Sequence, residues 1–260
     1  MNEFLTIFAT AGGVILLYMT LVWLVSVRLK NAGIVDIFWG MGFVLANAVY
    51  FALADGYAPR QLLVTILVTL WGLRLSVYIF RRNWGKPEDY RYQNFRAKAG
   101  PGYWWRSYYS VFLLQGFLLW IISVPLLAAQ LSTRAGLGIW AYLGAVVWAI
   151  GLFFEAVGDW QLARFKANPA NKGQLFDGGL WRYTRHPNYF GDAMCWWGYY
   201  LIAVGAGGFW TIFSPALMTT LLMRVSGVTL LEQSLRETKP GYREYVARTN
   251  AFFPWFPRRQ

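Results

Sequence analysis

The sequence predicts an all-α fold: a polytopic membrane helix bundle of about seven transmembrane helices, N-terminus outside and C-terminus cytoplasmic. Three observations carry that prediction. Hydrophobic residues make up 57% of the 260 and charged residues 14%, where a soluble globular protein carries about 25% charged residues. Apolar runs close to the roughly 20 residues that cross a bilayer recur along the chain. Lys and Arg collect behind alternate runs, and aromatics reach 19% with 15 Trp, which suits rings seated at headgroup level.

The runs lie at about 4–27, 33–53, 61–80, 108–129, 136–158, 189–206 and 209–227. The first has an acid at Glu3 and no basic leader, and it is too long for a signal-peptide core, so it reads as a retained span. Pro125 in the fourth and Pro215 in the seventh are tolerable kinks, provided neighbouring helices satisfy the freed carbonyls. The sixth is short and joins the seventh through Gly205-Ala-Gly-Gly208. Beyond it, Leu231, Leu235, Tyr242 and Tyr245 sit at positions expected of short amphipathic helices lying at the interface.

Basic residues sort with these runs. Arg28 and Lys30 follow the first, Arg81 to Arg106 the third, Arg164 to Arg185 the fifth, and Arg236 to Arg259 the seventh; the alternate loops hold only Arg60 and Arg134. This asymmetry sets the orientation of what reads as one integral membrane domain. Its first half, 1–130, is expected to form a substrate chamber and its second, 131–260, to bind a cofactor. The net charge of +12 therefore gathers on one face, where it can meet membrane lipids or draw in an anionic cofactor. No nucleic-acid module accompanies it. The single Cys195 excludes an internal disulfide and a cysteine-cluster metal site, and no metal is expected.

Several ionisable groups fall inside or at the edge of the runs: Asp36, Arg74, Glu155, Asp159 and Asp192, with Gln115 in the fourth. Such groups normally face the bundle interior and mark a site. Simple internal pairing, for example of Asp36 with Arg74, is the competing explanation. The densest polar stretch is Trp181-Arg-Tyr-Thr-Arg-His-Pro-Asn-Tyr-Phe-Gly-Asp192, which holds the only histidine, His186. Pro187 suits the first turn of a helix, whose free N–H groups favour an anion. Arg185 offers a planar fork to phosphate or carboxylate, and Asn188 and Asp192, one turn apart, can hold ribose hydroxyls or an amide. His186 has two readings, helix cap or proton-transfer group. Glu232 stands near the membrane edge further on.

These residues resemble the steroid 5α-reductase-like membrane family, in particular its bacterial branch, the domain of unknown function 1295. The likeness covers nearly the whole chain and is strongest over 159–197 and 230–257. Arg185-His-Pro-Asn-Tyr-Phe-Gly-Asp192 is also similar to a stretch of the sterol C14-reductases, and isoprenylcysteine carboxyl methyltransferases carry a related Arg-His-Pro stretch. The reductase resemblance implies an NADPH-dependent oxidoreductase acting on CH–CH groups, like the 3-oxo-5α-steroid 4-dehydrogenases, with a lipophilic steroid-, sterol- or isoprenoid-like substrate. It implies a cofactor site of Arg74, Arg82, Glu155, Asp159, Arg164, Lys172, Tyr183, Arg185, His186, Asn188, Tyr189, Asp192, Glu232 and Tyr245. Asp36 and Tyr78 become the candidate proton donor or carbonyl polariser, and Trp39, Trp71 and Gln115 the substrate contacts. The steroid enzymes' Gln-Glu pair is missing, which weighs against a 4-ene-3-ketosteroid. The methyltransferase likeness keeps S-adenosylmethionine as the alternative cofactor, and a non-enzymatic lipid-binding protein is the third reading.

Overall fold

Helices account for the secondary structure of the computed structural model, which describes residues 3–225, 228, 232, 235 and 238–258 and has no strand among them. In chain order they are α1 (Glu3–Leu29), α2 (Val35–Leu53), α3 (Ala58–Asn83), α4 (Tyr90–Ala99), α5 (Tyr103–Ser107), α6 (Leu114–Ile122), α7 (Val124–Leu131), α8 (Gly138–Ala167), α9 (Pro187–Gly205), α10 (Phe213–Thr220) and α11 (Tyr242–Arg248). Among the described residues, five helical segments are long and apolar enough to cross a membrane: 3–29, 32–53, 58–83, 90–131 and 138–167. They match the first five expected runs. Their outward faces carry large apolar side chains, such as Leu17, Leu21 and Leu24 of α1, each more than half exposed. A water-soluble protein would not expose so continuous a patch.

The sixth and seventh runs differ from the other five. The sixth is the helix α9, but the polar residues of its first turns lower its mean hydropathy. The seventh is broken into a 3₁₀ turn (Phe209–Ile212), α10 and a π turn (Leu221–Val225), and its expected last residues, 226 and 227, lie outside the described ones. The interfacial helix expected around Leu231 also falls mostly outside them. The one expected around Tyr242 and Tyr245 is α11.

Contacts divide the chain into two units, 1–137 with 205–211, and 138–204 with 212–260. In the first unit α2 and α3 cross at a pair of glycines. A Cβ on Gly40 would lie 2.6 Å from the carbonyl oxygen of Gly72, and one on Gly72 equally close to that of Gly40. Close backbone approach at small residues is how apolar helices gain contact in lipid. The fourth run bends where Pro125 predicts: α6 ends at Ile122 and α7 begins at Val124. Ser123 at the bend donates to the Trp120 carbonyl (2.7 Å) and meets the Tyr50 hydroxyl at 2.7 Å. A buried amide cluster ties α7 to its neighbours, with Gln130 donating to Asn47 (2.9 Å) and Thr65 (3.1 Å). Arg60, only 1% exposed, caps the chain end of α7 by donating to the carbonyls of Ser132, Arg134 and Gly136.

The second unit is built on a seam between α8 and α9. Gly144, Gly151 and Gly158 recur every seven residues on α8, as do Gly191 and Gly198 on α9. A Cβ on Gly144 would meet the Gly198 carbonyl at 2.6 Å, and one on Gly151 the Gly191 carbonyl at 2.6 Å; one on Gly158 would meet the Pro187 ring at 3.0 Å. The two helices therefore run antiparallel at near-contact of their backbones. A seven-residue repeat keeps such a seam continuous along both helices. Its last contact sets the start of α9 directly against the turns of α8 that carry Glu155 and Asp159. At 30 residues and about 1.5 Å per residue, α8 outruns a hydrocarbon core of about 30 Å.

Candidate functional site

The second unit gathers most of the polar residues singled out in the sequence. The segment before α9 is held by the tail: Thr184 donates to the Phe252 carbonyl (2.8 Å), Arg185 N–H to Asn250 (2.9 Å), and Trp255 N–H to Tyr183 (2.9 Å). Backbone pairing of this kind fixes the direction in which Arg185 and His186 leave the chain.

Arg185, 8% exposed, faces Glu232. Its Nε and Nη2 both lie 2.8 Å from Glu232 Oε1. Its Nη1 donates to the Thr249 carbonyl and, at 3.4 Å, to that of Val246. His186 Nε2 lies 3.1 Å from the same Glu232 oxygen. Burial works against the charge on Glu232, but the bonds from His186 and Arg185 and the nearby guanidinium together hold its carboxyl below the ordinary range. Burial also holds the His186 imidazole below its ordinary value, outweighing the pull of Glu232. The ring is thus neutral at neutral pH beside a carboxylate that can only accept.

That arrangement assigns the tautomer. Nε2 must carry the proton, because the oxygen it meets is a carboxylate oxygen; Nδ1 is then an acceptor. Nδ1 is buried and has no hydrogen-bond partner among the described residues. Asn188 follows the same logic. Its Nδ2 donates to Asp159 Oδ1 at 3.2 Å, which turns its Oδ1 away, and that oxygen too is buried without a partner. Two buried acceptors, two residues apart at the opening of one helix, are costly unless a donor reaches them. Amide, amine and hydroxyl groups are donors of the kind they lack.

Around them, Glu155 and Asp159 are buried at 2% and 3% exposure, and Asp192 at 9%. The Tyr189 ring stacks on His186 at 5.5 Å. Tyr245 donates to the Trp181 carbonyl, and burial pushes its phenol up. Arg164, its guanidinium over the Trp160 ring at 5.5 Å, and Lys172 and Tyr183 are exposed. The described site thus has an inner part of carboxylates, amide and imidazole, with cations on the exposed residues.

The remaining candidates lie in the first unit. Arg74, Tyr78 and Arg82 form one stripe of α3, the two guanidiniums over the Tyr78 ring at 5.3 and 5.8 Å. Asp36 does not draw its partner from Arg74. It accepts from Arg91 Nη2 at 2.8 Å and from the Tyr92 hydroxyl at 2.7 Å, while Gln115 donates to the Tyr92 oxygen at 3.4 Å. A carboxylate occupied by a guanidinium and a phenol is an acceptor, so the donor role expected of Asp36 needs a proton that this geometry places on Tyr92. Trp39 packs edge-on to Phe43 (5.3 Å), and Phe43 to Trp71 (5.6 Å). Trp71 is fully buried; Trp39 is half-buried.

Sequence reading missed Arg91, counted only among the basic residues after the third run, and Tyr92, not singled out at all. Their signal was the Asp89 carboxylate just ahead, which caps α4 by accepting from Arg91 N–H (3.0 Å) and also from Arg91 Nε (2.9 Å).

Fold and site together define a polytopic helical membrane protein with a buried acid–imidazole–guanidinium corner at a helix start. The chain belongs to the family described as Protein of unknown function (DUF1295), whose family model matches residues 22–249. It is similar to an uncharacterized protein of Schizosaccharomyces pombe, 27% identical over 89% of this chain and 75% of the relative. A shorter likeness, 46% identical over 46 residues, is to a protein of Ustilaginoidea virens named a probable O-methyltransferase; it covers 18% of this chain and 16% of that one. No solved structure matches.

Proposed function

We propose that this chain is a membrane-embedded NADPH-dependent reductase acting on an activated carbon–carbon double bond of a lipophilic, steroid-, sterol- or isoprenoid-like substrate. The reading places seven spans in a bacterial inner membrane, the N-terminus outside and the C-terminus in the cytoplasm. The observation that carries it is the pair of buried acceptors, His186 Nδ1 and Asn188 Oδ1, set among Glu155, Asp159, Asp192 and Glu232. A dinucleotide presents ribose hydroxyls and a carboxamide, which are donors, together with phosphates for exposed Arg164 and Lys172. When bound, NADPH supplies the hydride. The chain's own part is to orient: Asn188 is aimed by Asp159, His186 by Glu232, and Glu232 is held by Arg185. Tyr78 and the Asp36–Tyr92 pair are the groups proposed to polarise or protonate the substrate.

The 46-residue likeness to a probable O-methyltransferase favours a second reading, an S-adenosylmethionine-dependent methyltransferase using the same corner. Its ligand also offers ribose and amine donors, but it has no phosphate for Arg164 and Lys172.

Thermal unfolding of the purified protein in detergent with NADPH, NADH or S-adenosylmethionine separates these readings. At a hundredfold excess over Kd a bound ligand stabilises by about 2.7 kcal/mol. NADPH raising the transition while S-adenosylmethionine leaves it unmoved is the expected result. The reverse pattern replaces the reductase with the methyltransferase, and silence from all three removes the enzyme reading.

A further inference from the structure

A cleft of about 420 Å³ lies in the first unit where α1 ends, and the reductase reading makes no use of it. Its size falls within the roughly 300–1,000 Å³ of small-molecule sites. Ser26 and Lys30 line it from the end of α1, Arg96 from α4, and Tyr103, Trp104 and Ser107 from α5. We propose that it holds the phosphate of an anionic lipid headgroup.

The lining presents two cations, Lys30 and Arg96, and one unpartnered phenol. The Tyr103 hydroxyl is buried, in a residue 3% exposed, and has no hydrogen-bond partner among the described residues. The Ser26 and Ser107 hydroxyls spend their protons on the carbonyls of Trp23 (2.7 Å) and Trp104 (2.9 Å). Arg96 is aimed by Glu88, its Nε and Nη2 lying 3.1 and 3.0 Å from that carboxylate, and it sits over the Tyr103 ring at 4.6 Å. Glu88 also accepts from Ala32 N–H at 2.6 Å. The acid nearest the cleft is therefore neutralised, while Arg96 Nη1 has no bond among the described residues. Lys30 adds a positive charge that no described carboxylate pairs. Arg106 folds toward the same turn, with its Nε 3.9 Å from where a Cβ on Gly102 would stand.

Lys30 is itself out of place as a purely structural residue. It occupies the left-handed position that closes α1, φ 53°, with Asn31 N–H bonded to the Ser26 carbonyl at 3.0 Å and Lys30 N–H to Val27 at 3.2 Å. Glycine fills that position without strain. A lysine there puts an ammonium at the cleft at a conformational cost.

The surroundings choose a lipid over a dissolved phosphate ester. Val27 of the lining and Leu24 one turn before it are exposed, at 37% and 51%, and Trp104 at 52%. Trp23 stacks with Trp104 and leans on Tyr108 at 4.7 Å. Such an aromatic group marks headgroup depth, so a phosphate in the cleft would leave its acyl chains on the apolar face of α1.

The test uses the full-length protein in detergent with short-chain phosphatidylglycerol, short-chain phosphatidylcholine and inorganic phosphate, read by native mass spectrometry and by thermal shift. One phosphatidylglycerol should be retained per chain in a saturable manner, with phosphatidylcholine and inorganic phosphate far weaker. Lys30→Gly relieves the left-handed backbone, so the fold is kept or strengthened, while phosphatidylglycerol affinity should fall about fivefold for the lost charge near the membrane. Tyr103→Phe should weaken it about tenfold through the lost charge-assisted hydrogen bond. Equal retention of phosphatidylcholine, equal binding of inorganic phosphate, or unchanged affinity in Lys30→Gly each overturns the proposal. None of these outcomes touches the nucleotide reading, which concerns the other unit.

Discussion

Substituting Glu232 by alanine should unfold the protein more readily than any surface change of similar size. The carboxylate serves three donors through one oxygen: Arg185 Nε and Nη2 at 2.8 Å and His186 Nε2 at 3.1 Å. Its removal leaves a guanidinium only 8% exposed without a counter-charge. Breaking a buried pair in this way costs about 3–5 kcal/mol. Arg185 keeps its bonds to the carbonyls of Val246 and Thr249, so the lower end applies, about 3 kcal/mol. At roughly 2–4 °C per kcal/mol for a chain of this length, the transition should fall by about 6–12 °C. Intrinsic tryptophan fluorescence during heating in detergent measures it directly. Arg185→Ala should cost a similar amount, and the double variant much less than the sum, because once one partner is gone the other has little left to lose. Additive losses, or a Glu232→Ala transition within 2 °C of the parent, would refute the pairing.

Acid should weaken the fold in two steps. His186 has a folded pKa held below its ordinary 6.5, so the unfolded chain binds the proton first, and stability complete above that pH is lost as pH falls below it. Glu232, held below its ordinary 4.5, adds a second loss below that value. A thermal-shift pH series should show both, and His186→Gln should erase the upper step; an unchanged upper step in that variant assigns it elsewhere. Gly151→Val should destabilise by about 1–3 kcal/mol or more, since even its Cβ would meet Gly191 O at 2.6 Å and Cys195 N at 2.7 Å. A neutral Gly151→Val, read by thermal unfolding, would deny the α8–α9 seam. Asp36→Asn removes the charge that receives Arg91 and Tyr92, and α4 should loosen, seen as faster limited proteolysis near residues 84–90; an unaltered digest contradicts that anchoring.

Much of the fold was legible in one sequence because lipid imposes simple rules. Five apolar runs became five span-length helical segments, and Pro125 produced the bend between α6 and α7. The seventh run is helical over its described residues, 209–225, but passes from 3₁₀ through α to π geometry, a change that an apolar count does not register. The corner of Arg185, His186, Asn188 and Glu232 was also legible, as polar residues where lipid would penalise them. Their partners were not. That Arg185 spends its donors on Glu232 and two carbonyls depends on where the tail returns, more than 45 residues on, and no local pattern encodes it. In the sequence Arg185 reads as a fork for an anion; the buried pairing with Glu232 makes Arg185→Ala a stability variant as well. The seven-residue glycine repeats of α8 and α9 were visible and carried the information that sets Asp159 beside Asn188. Only the helix pairing gives them that meaning.

The most direct measurement is the ¹⁵N spectrum of imidazole-labelled protein, where the sole histidine makes assignment immediate. At neutral pH without ligand, one ring nitrogen should show the shift of a protonated Nε2 and the other that of an unprotonated Nδ1. Saturating NADPH should move the Nδ1 resonance upfield as it accepts a hydrogen bond, leaving Nε2 in place on Glu232. A ring already protonated on both nitrogens, or an Nδ1 resonance unmoved by NADPH and shifted only by S-adenosylmethionine, would contradict the proposed dinucleotide site.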